Sequence, residues 1–171
     1  AVINPNRLDD TSDLGMLAAV GVSFLLAVAL NRGLRDAGWY AGGSHSEPDL
    51  LSLLDLVALG TVCDVVKLNG LNRAFVTQGL RVMAKRHNTG LAALADTARI
   101  AEKPSEYHAG FILGPRVNAG GRVGEASLGA RLLTTNDAGE AVELARQLDS
   151  FNAERQAIEA EVLEEALALV E

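Results

Sequence analysis

Two places in the sequence hold side chains whose types and spacing could do chemistry. The first is Phe111-Ile-Leu-Gly-Pro-Arg-Val-Asn-Ala-Gly-Gly-Arg122, which puts two guanidinium groups, one carboxamide and three glycines into twelve residues. Proline lacks an N–H and restricts the residue ahead of it, so Gly114-Pro115 is expected to end any helix arriving from upstream. Gly120-Gly121 tolerates positive φ and leaves backbone N–H groups uncovered. A new apolar period begins near Ala126. The expectation is a bare turn, rich in donors, that feeds a helix N-terminus. Such a turn suits an anion, phosphate above all. Arg116 and Arg122 could each grip a phosphate through two parallel hydrogen bonds. The alternative for these arginines is an ion pair with a nearby carboxylate such as Glu125.

The second place is Asp64, within Gly60-Thr-Val-Cys-Asp-Val-Val66. A helix is expected to stop at Gly60. Asp64 then lies beyond a helix C-terminus among apolar neighbours, facing the negative dipole end with poor solvation. A divalent cation would compensate. So would Lys67 or Arg73, and of the two an ion pair is the commoner arrangement. His45 reads as a solvated loop residue, His87 as exposed or capping, and His108 as half-buried, none with a metal role. Cys63 reads as a small buried side chain.

Composition bounds what can position these groups. The chain has 171 residues, the length of one domain, and 49% are hydrophobic but only 4% aromatic. Leu, Ala and Val must therefore build the core, which favours closely packed helices. The net charge of −7 and pI near 5.0 argue against a broadly basic nucleic-acid surface but not against a local basic pocket. One cysteine excludes an internal disulfide and fits a reducing cytoplasm. The apolar run from Leu14 to Leu30 is broken by glycines and a serine and is short for a membrane span.

In chain order, Ala1 to Ile3 is expected to be a short edge strand, stopped by Asn4-Pro5. Helices are expected from about Leu14 to Asp36, Asp49 to Leu59, Asn72 to Arg86, Gly90 to Ala98, Pro104 to Leu113 and Glu125 to Leu133. The first should be buried on most sides. Arg73, Arg81, Lys85 and Arg86 on the third read as a solvated face. Asp137 with Glu140 three residues on forms a capping-box-like start for a last helix, which runs towards Glu171 and turns acidic beyond Gln156. Ala1-Val-Ile opens inside an apolar run without an initiator methionine, and the last residues carry no cap, so both ends read as cut from a longer protein.

Several stretches together resemble one family. Leu53 to Leu68 is similar to the segment that bears the last metal-binding aspartate of the DHH phosphoesterases, and Leu71-Asn-Arg-Ala-Phe-Val-Thr-Gln-Gly-Leu80 follows it as in the RecJ-type members. Gly114-Pro-Arg-Val-Asn-Ala-Gly-Gly-Arg122 resembles the RecJ-type Gly-Pro-Arg-hydrophobic-Asn-Ala-small-Gly-Arg motif. Ala1-Val-Ile-Asn-Pro resembles the strand just after the family's Asp-His-His signature, and Ala18-Ala-Val-Gly-Val-Ser-Phe24 a helix of the same domain. The resemblance spans nearly the whole chain, in order. It implies part of a single-stranded-DNA-specific 5′–3′ exonuclease of DNA repair and recombination, acting with two divalent cations, Mn²⁺ or Mg²⁺. By position Asp64 would be a metal ligand and catalytic residue. Arg116, Asn118, Gly120, Gly121 and Arg122 would bind substrate.

The fold implied is a predominantly α fragment, the second half of an α/β DHH catalytic domain. Residues 1–136 would belong to that domain and 137–171 would form a long connector helix towards a DHH-associated domain. The family's Asp-x-Asp pair, middle aspartate and Asp-His-His do not occur in the sequence. One aspartate cannot hold two hard divalent ions. The chain alone is therefore expected to be inactive, with single-stranded DNA and the upstream and downstream parts of the same protein as partners, in the cytoplasm and away from membranes. Two other readings are a DHH pyrophosphatase or oligonucleotide phosphodiesterase, and a non-catalytic helical interaction module.

Overall fold

The computed structural model describes residues 2–43 and 45–169, and those residues form helices and connecting turns with no strand. The expected N-terminal strand is thus not seen. Ala1 lies outside the described residues, while Val2 and Ile3 are exposed and irregular. A strand needs a neighbouring edge to pair with, and no described residue offers one. The last two residues of the expected final helix, Val170 and Glu171, also lie outside the described range.

The chain divides into two compact units, Ala1–Lys85 and Arg86–Glu171. The first holds α1 (Ala19–Asp36), a 3₁₀ turn (Leu50–Leu53), α2 (Leu54–Cys63) and α3 (Gly70–Met83). Leu17, Phe24, Leu54, Val57 and Phe75 form its buried cluster, with Phe24 and Phe75 edge-to-face at 5.5 Å. α1 starts five residues later than its apolar run predicts, because Asp13 takes a left-handed φ of 56° and the chain turns through Leu14 to Ala18. It is also less covered than predicted: Leu26 and Leu30 face solvent.

α2 does not stop at Gly60. It continues to Cys63, because Gly60 is where α1 comes close: a Cβ there would sit 2.9 Å from Val20 Cγ1. Gly79 does the same for α3, where a Cβ would fall 2.0 Å from the Leu54 carbonyl oxygen. These glycines set interhelical distance rather than helix ends. On α1, Asn31 is buried and anchors the loop before α2; it donates to Glu47 at 2.9 Å and accepts from the Tyr40 hydroxyl at 2.7 Å.

The second unit holds α4 (Thr89–Thr97), a π-helix (His108–Leu113), α5 (Gly114–Val123), α6 (Leu128–Thr134) and α7 (Ala138–Ala168). α4, α5 and α6 all pack on the first half of α7. Ala141, Leu144, Ala145 and Leu148 face them. Asp137 caps α7 as its spacing predicts, accepting from the Glu140 N–H at 2.7 Å. Asn88 caps α4, accepting from the Leu91 N–H at 2.8 Å. Beyond Asn152 α7 leaves the packed region. Ile158, Val162, Leu163 and Leu167 are exposed there.

Candidate functional site

The stretch from Gly114 to Val123 is a helix, not the bare turn its glycines and proline predict. Three local features explain this. Ser105 opens the helical segment, and His108 three residues later reaches back, its Nδ1 accepting from the Ser105 N–H at 3.1 Å. The imidazole thus plays the part a glutamate plays in a capping box. That bond makes Nδ1 the acceptor and turns Nε2 towards Glu102, 3.2 Å away. The chain then takes a wide π turn from His108 to Leu113, which accommodates the Pro115 ring. Pro115 itself occupies the first turn of α5, where a missing N–H costs least.

The glycines of α5 serve packing and exposure rather than positive φ. Gly120 is buried: a Cβ there would lie 3.0 Å from the Glu125 carbonyl oxygen and 3.1 Å from Leu148 Cδ2. Gly121 is its opposite, exposed with nothing within 4 Å of a Cβ. Since both are helical, their backbone does not form the open anion nest of the expected turn.

Side chains sort along this helical segment by face. Tyr107, Phe111, Asn118, Gly121 and Arg122 point outward. Tyr107 and Phe111 stack, with ring centroids 5.4 Å apart. Arg116 is held against α7: its Nε donates to Asp149 Oδ1 at 2.8 Å and its Nη1 to the Ile112 carbonyl at 2.8 Å. Its partner is therefore Asp149, not Glu125, which accepts from Ser127 instead. Arg122 makes no ion pair with a described residue.

Asp64 belongs to the first unit. It is the C-cap of α2, its N–H donating to the Gly60 carbonyl at 3.0 Å. The carboxylate is exposed, not enclosed by its apolar neighbours, and pairs with no lysine or arginine among the described residues. The expected ion pair with Lys67 or Arg73 does not form. Arg73 turns its Nε to the Leu68 carbonyl instead, at 3.1 Å. Val65, next in the chain, has φ 56° and is exposed. A β-branched residue in that region is strained, so the turn that presents Asp64 is held from elsewhere.

Asn72 does the holding. It is fully buried, and its Nδ2 donates to the Met16 carbonyl at 2.8 Å and the Lys67 carbonyl at 3.0 Å. The start of α3, the approach to α1 and the loop after Asp64 are joined through this amide. Burial, and then the neighbouring Asp64 carboxylate, push the Cys63 thiol above its usual range, so it is no thiolate nucleophile at neutral pH.

The residues predicted from sequence thus fall in two sets. Arg116, Asn118, Gly120, Gly121 and Arg122 share α5, and Asp64 stands in the other unit. Sequence reasoning missed Asn72 and Asp149. Asn72 was findable, because it lies at helical spacing with the buried Phe75, Val76 and Gly79. Asp149, 33 residues from Arg116, carries no local signal. Among the described residues no three His, Cys, Asp or Glu side chains lie together as metal ligands. Asp64 alone does not fit a divalent cation, which wants about six ligands.

No family model matches the chain. Curated relatives do. The single-stranded-DNA-specific exonucleases RecJ of Dickeya dadantii and Escherichia coli are each 46% identical over 173 aligned residues, covering 100% of this chain. The chain spans about 30% of their length. Among solved structures, an exonuclease RecJ bound to manganese matches 86% of this chain and 35% of its own, at 36% identity and a TM-score of 0.73. RecJ of Thermus thermophilus in complex with Mg²⁺ matches 94% of this chain and 23% of its own, at 34% identity and a TM-score of 0.72. Among the described residues no helix is long and apolar enough to cross a membrane.

Proposed function

From a chain homologous over its whole length to part of the RecJ single-stranded-DNA-specific exonucleases, we propose that it forms part of an enzyme that hydrolyses phosphodiester bonds of single-stranded DNA from the 5′ end, in DNA repair and recombination in the cytoplasm, and that it is inactive by itself. Asp64 contributes one carboxylate to a Mn²⁺ or Mg²⁺ site completed by residues outside this chain. When bound, the metal supplies activation of water and charge stabilisation at phosphorus. The residues of this chain present the carboxylate and bind substrate.

The observation that carries this reading is the outward row on the π-helix and α5. Exposed aromatic rings at Tyr107 and Phe111 offer a surface for unstacked bases. Asn118 and Arg122, farther along the same segment, are exposed donors for phosphate oxygens. Double-stranded DNA keeps its bases stacked inside and cannot use the first of these features. Arg116 supports the row by fastening the start of α5 to α7, and Gly120 by letting α5 sit close to it. The final helix, beyond Asn152, leads towards the rest of the protein.

The test is nucleotide release from 5′-phosphorylated single-stranded DNA by the intact protein with Mn²⁺, against blunt duplex of the same sequence. Asp64→Ala should abolish release with little loss of fold, and Arg122→Ala should raise KM more than it lowers kcat. Equal rates on duplex and single strands, or normal cutting by Asp64→Ala, contradict the proposal.

A further inference from the structure

The chain carries 22 acidic and 15 basic side chains, yet no Asp or Glu occurs between Asp64 and Asp96. α3 lies inside that gap. Lys67 ahead of it, Arg73 and Arg81 on it, and Lys85 just after it are all exposed. None of the four reaches a carboxylate among the described residues, whereas eight arginines elsewhere in the chain do. The exposed residues between these cations, Gln78, Ala74, Thr77 and Ala84 among them, are all uncharged. Nothing on this face neutralises the charge.

The cations are spread along the length of α3. At about 1.5 Å per helical residue, Arg81 lies ~12 Å along the axis from Arg73, and Lys85 ~6 Å farther on. Arg73 uses only its Nε internally, on the Leu68 carbonyl. Arg81 makes one long contact, 3.4 Å to Gln78 Oε1. Arg81 and Lys85 lie four residues apart, a spacing at which like charges repel. A polyanion laid along this face reverses that.

We propose that the outer face of α3 is a track for the sugar–phosphate backbone of single-stranded DNA. Lys67, Arg73, Arg81 and Lys85 each neutralise a phosphate along the strand. The proposal rests on the exonuclease reading above and adds to it a second contact surface, in the unit that carries Asp64. The track grips charge and reads no base, so it holds a strand of any sequence.

Binding of a fluorescent oligo-dT to the intact protein, measured by anisotropy in EDTA over 50–200 mM salt, tests it. Each phosphate neutralised on a single strand contributes about 0.7 to the slope of log K against log salt, so Arg81→Gln/Lys85→Gln should lower the slope by about 1.4. Between 50 and 200 mM the variant should then lose about sevenfold less affinity than the parent. A slope equal to the parent's overturns the track. Should the double variant fail to fold by circular dichroism, Lys85→Gln carries the same test at about 0.7. Tighter binding of poly-glutamate than of oligo-dT at equal salt assigns the face to an acidic protein and overturns the nucleic-acid assignment. Cleavage separates this proposal from the reading beneath it. If Asp64→Ala abolishes nucleotide release and the slope stays unchanged, only the track fails; if Asp64→Ala cuts normally, the exonuclease reading fails.

Discussion

Arg116 and Asp149 are joined by a 2.8 Å hydrogen-bonded ion pair that ties the first turn of α5 to the middle of α7. The arginine side chain is only 18% exposed and also satisfies the Ile112 carbonyl. A residue read from sequence as a phosphate grip therefore has a structural duty. Arg116→Ala should destabilise the second unit by about 1–3 kcal/mol, since it removes charged hydrogen bonds and strands a carbonyl. Asp149→Asn should cost less. Chemical denaturation of the two variants checks this, and equal stabilities for both variants and the parent would remove the duty.

Asn72 should be as sensitive for a different reason. Its amide bridges two backbone carbonyls from inside the protein. Asn72→Leu removes both donors, so a loss of about 1–3 kcal/mol is expected. It should also loosen the loop that follows Asp64. Hydrogen exchange of residues 64–69 should rise in the variant more than exchange within α2.

Glycine substitutions separate packing from exposure. Gly79→Ala drives a Cβ into the Leu54 carbonyl, and overpacking of this kind costs roughly 1–3 kcal/mol or more. Gly121→Ala meets open space on a helix and should stabilise by up to about 1 kcal/mol. Thermal melts of the pair should move in opposite directions.

Those glycines also show where sequence and structure part. The order of helices, the Asp137 cap and the inner face of α7 were legible, because apolar period and capping chemistry are local. Asp64 was legible as lying beyond the C-terminus of α2, but not as its cap, because the helix runs past Gly60 to Cys63. The helical state of 114–123 was not. Gly114-Pro115 and Gly120-Gly121 read locally as breakers. Their tolerance depends on a π turn upstream and on close approach of α7, which only the folded chain supplies. The exposure of Asp64 was equally hidden: apolar neighbours in sequence need not surround a residue that caps a helix.

Val65 carries the strain of the Asp64 turn. With φ at 56°, a β-branched side chain costs about 1–2 kcal/mol, and Val65→Gly should recover much of it. In the intact protein this more stable variant should cut DNA more slowly, since the turn presenting Asp64 becomes freer. A stability gain with unchanged rate would show that the strain does not serve the carboxylate.

As a proposed metal ligand, Asp64 should be needed for cation binding. A calorimetric titration of the intact protein with Mn²⁺, beside its Asp64→Asn variant, tests it most directly, because the exposed carboxylate has no other described partner to lose. The variant, folded by circular dichroism, should bind Mn²⁺ at least about tenfold more weakly, on the order of the loss that even an outer-shell ligand causes. Superimposable titration curves for the two proteins would contradict it.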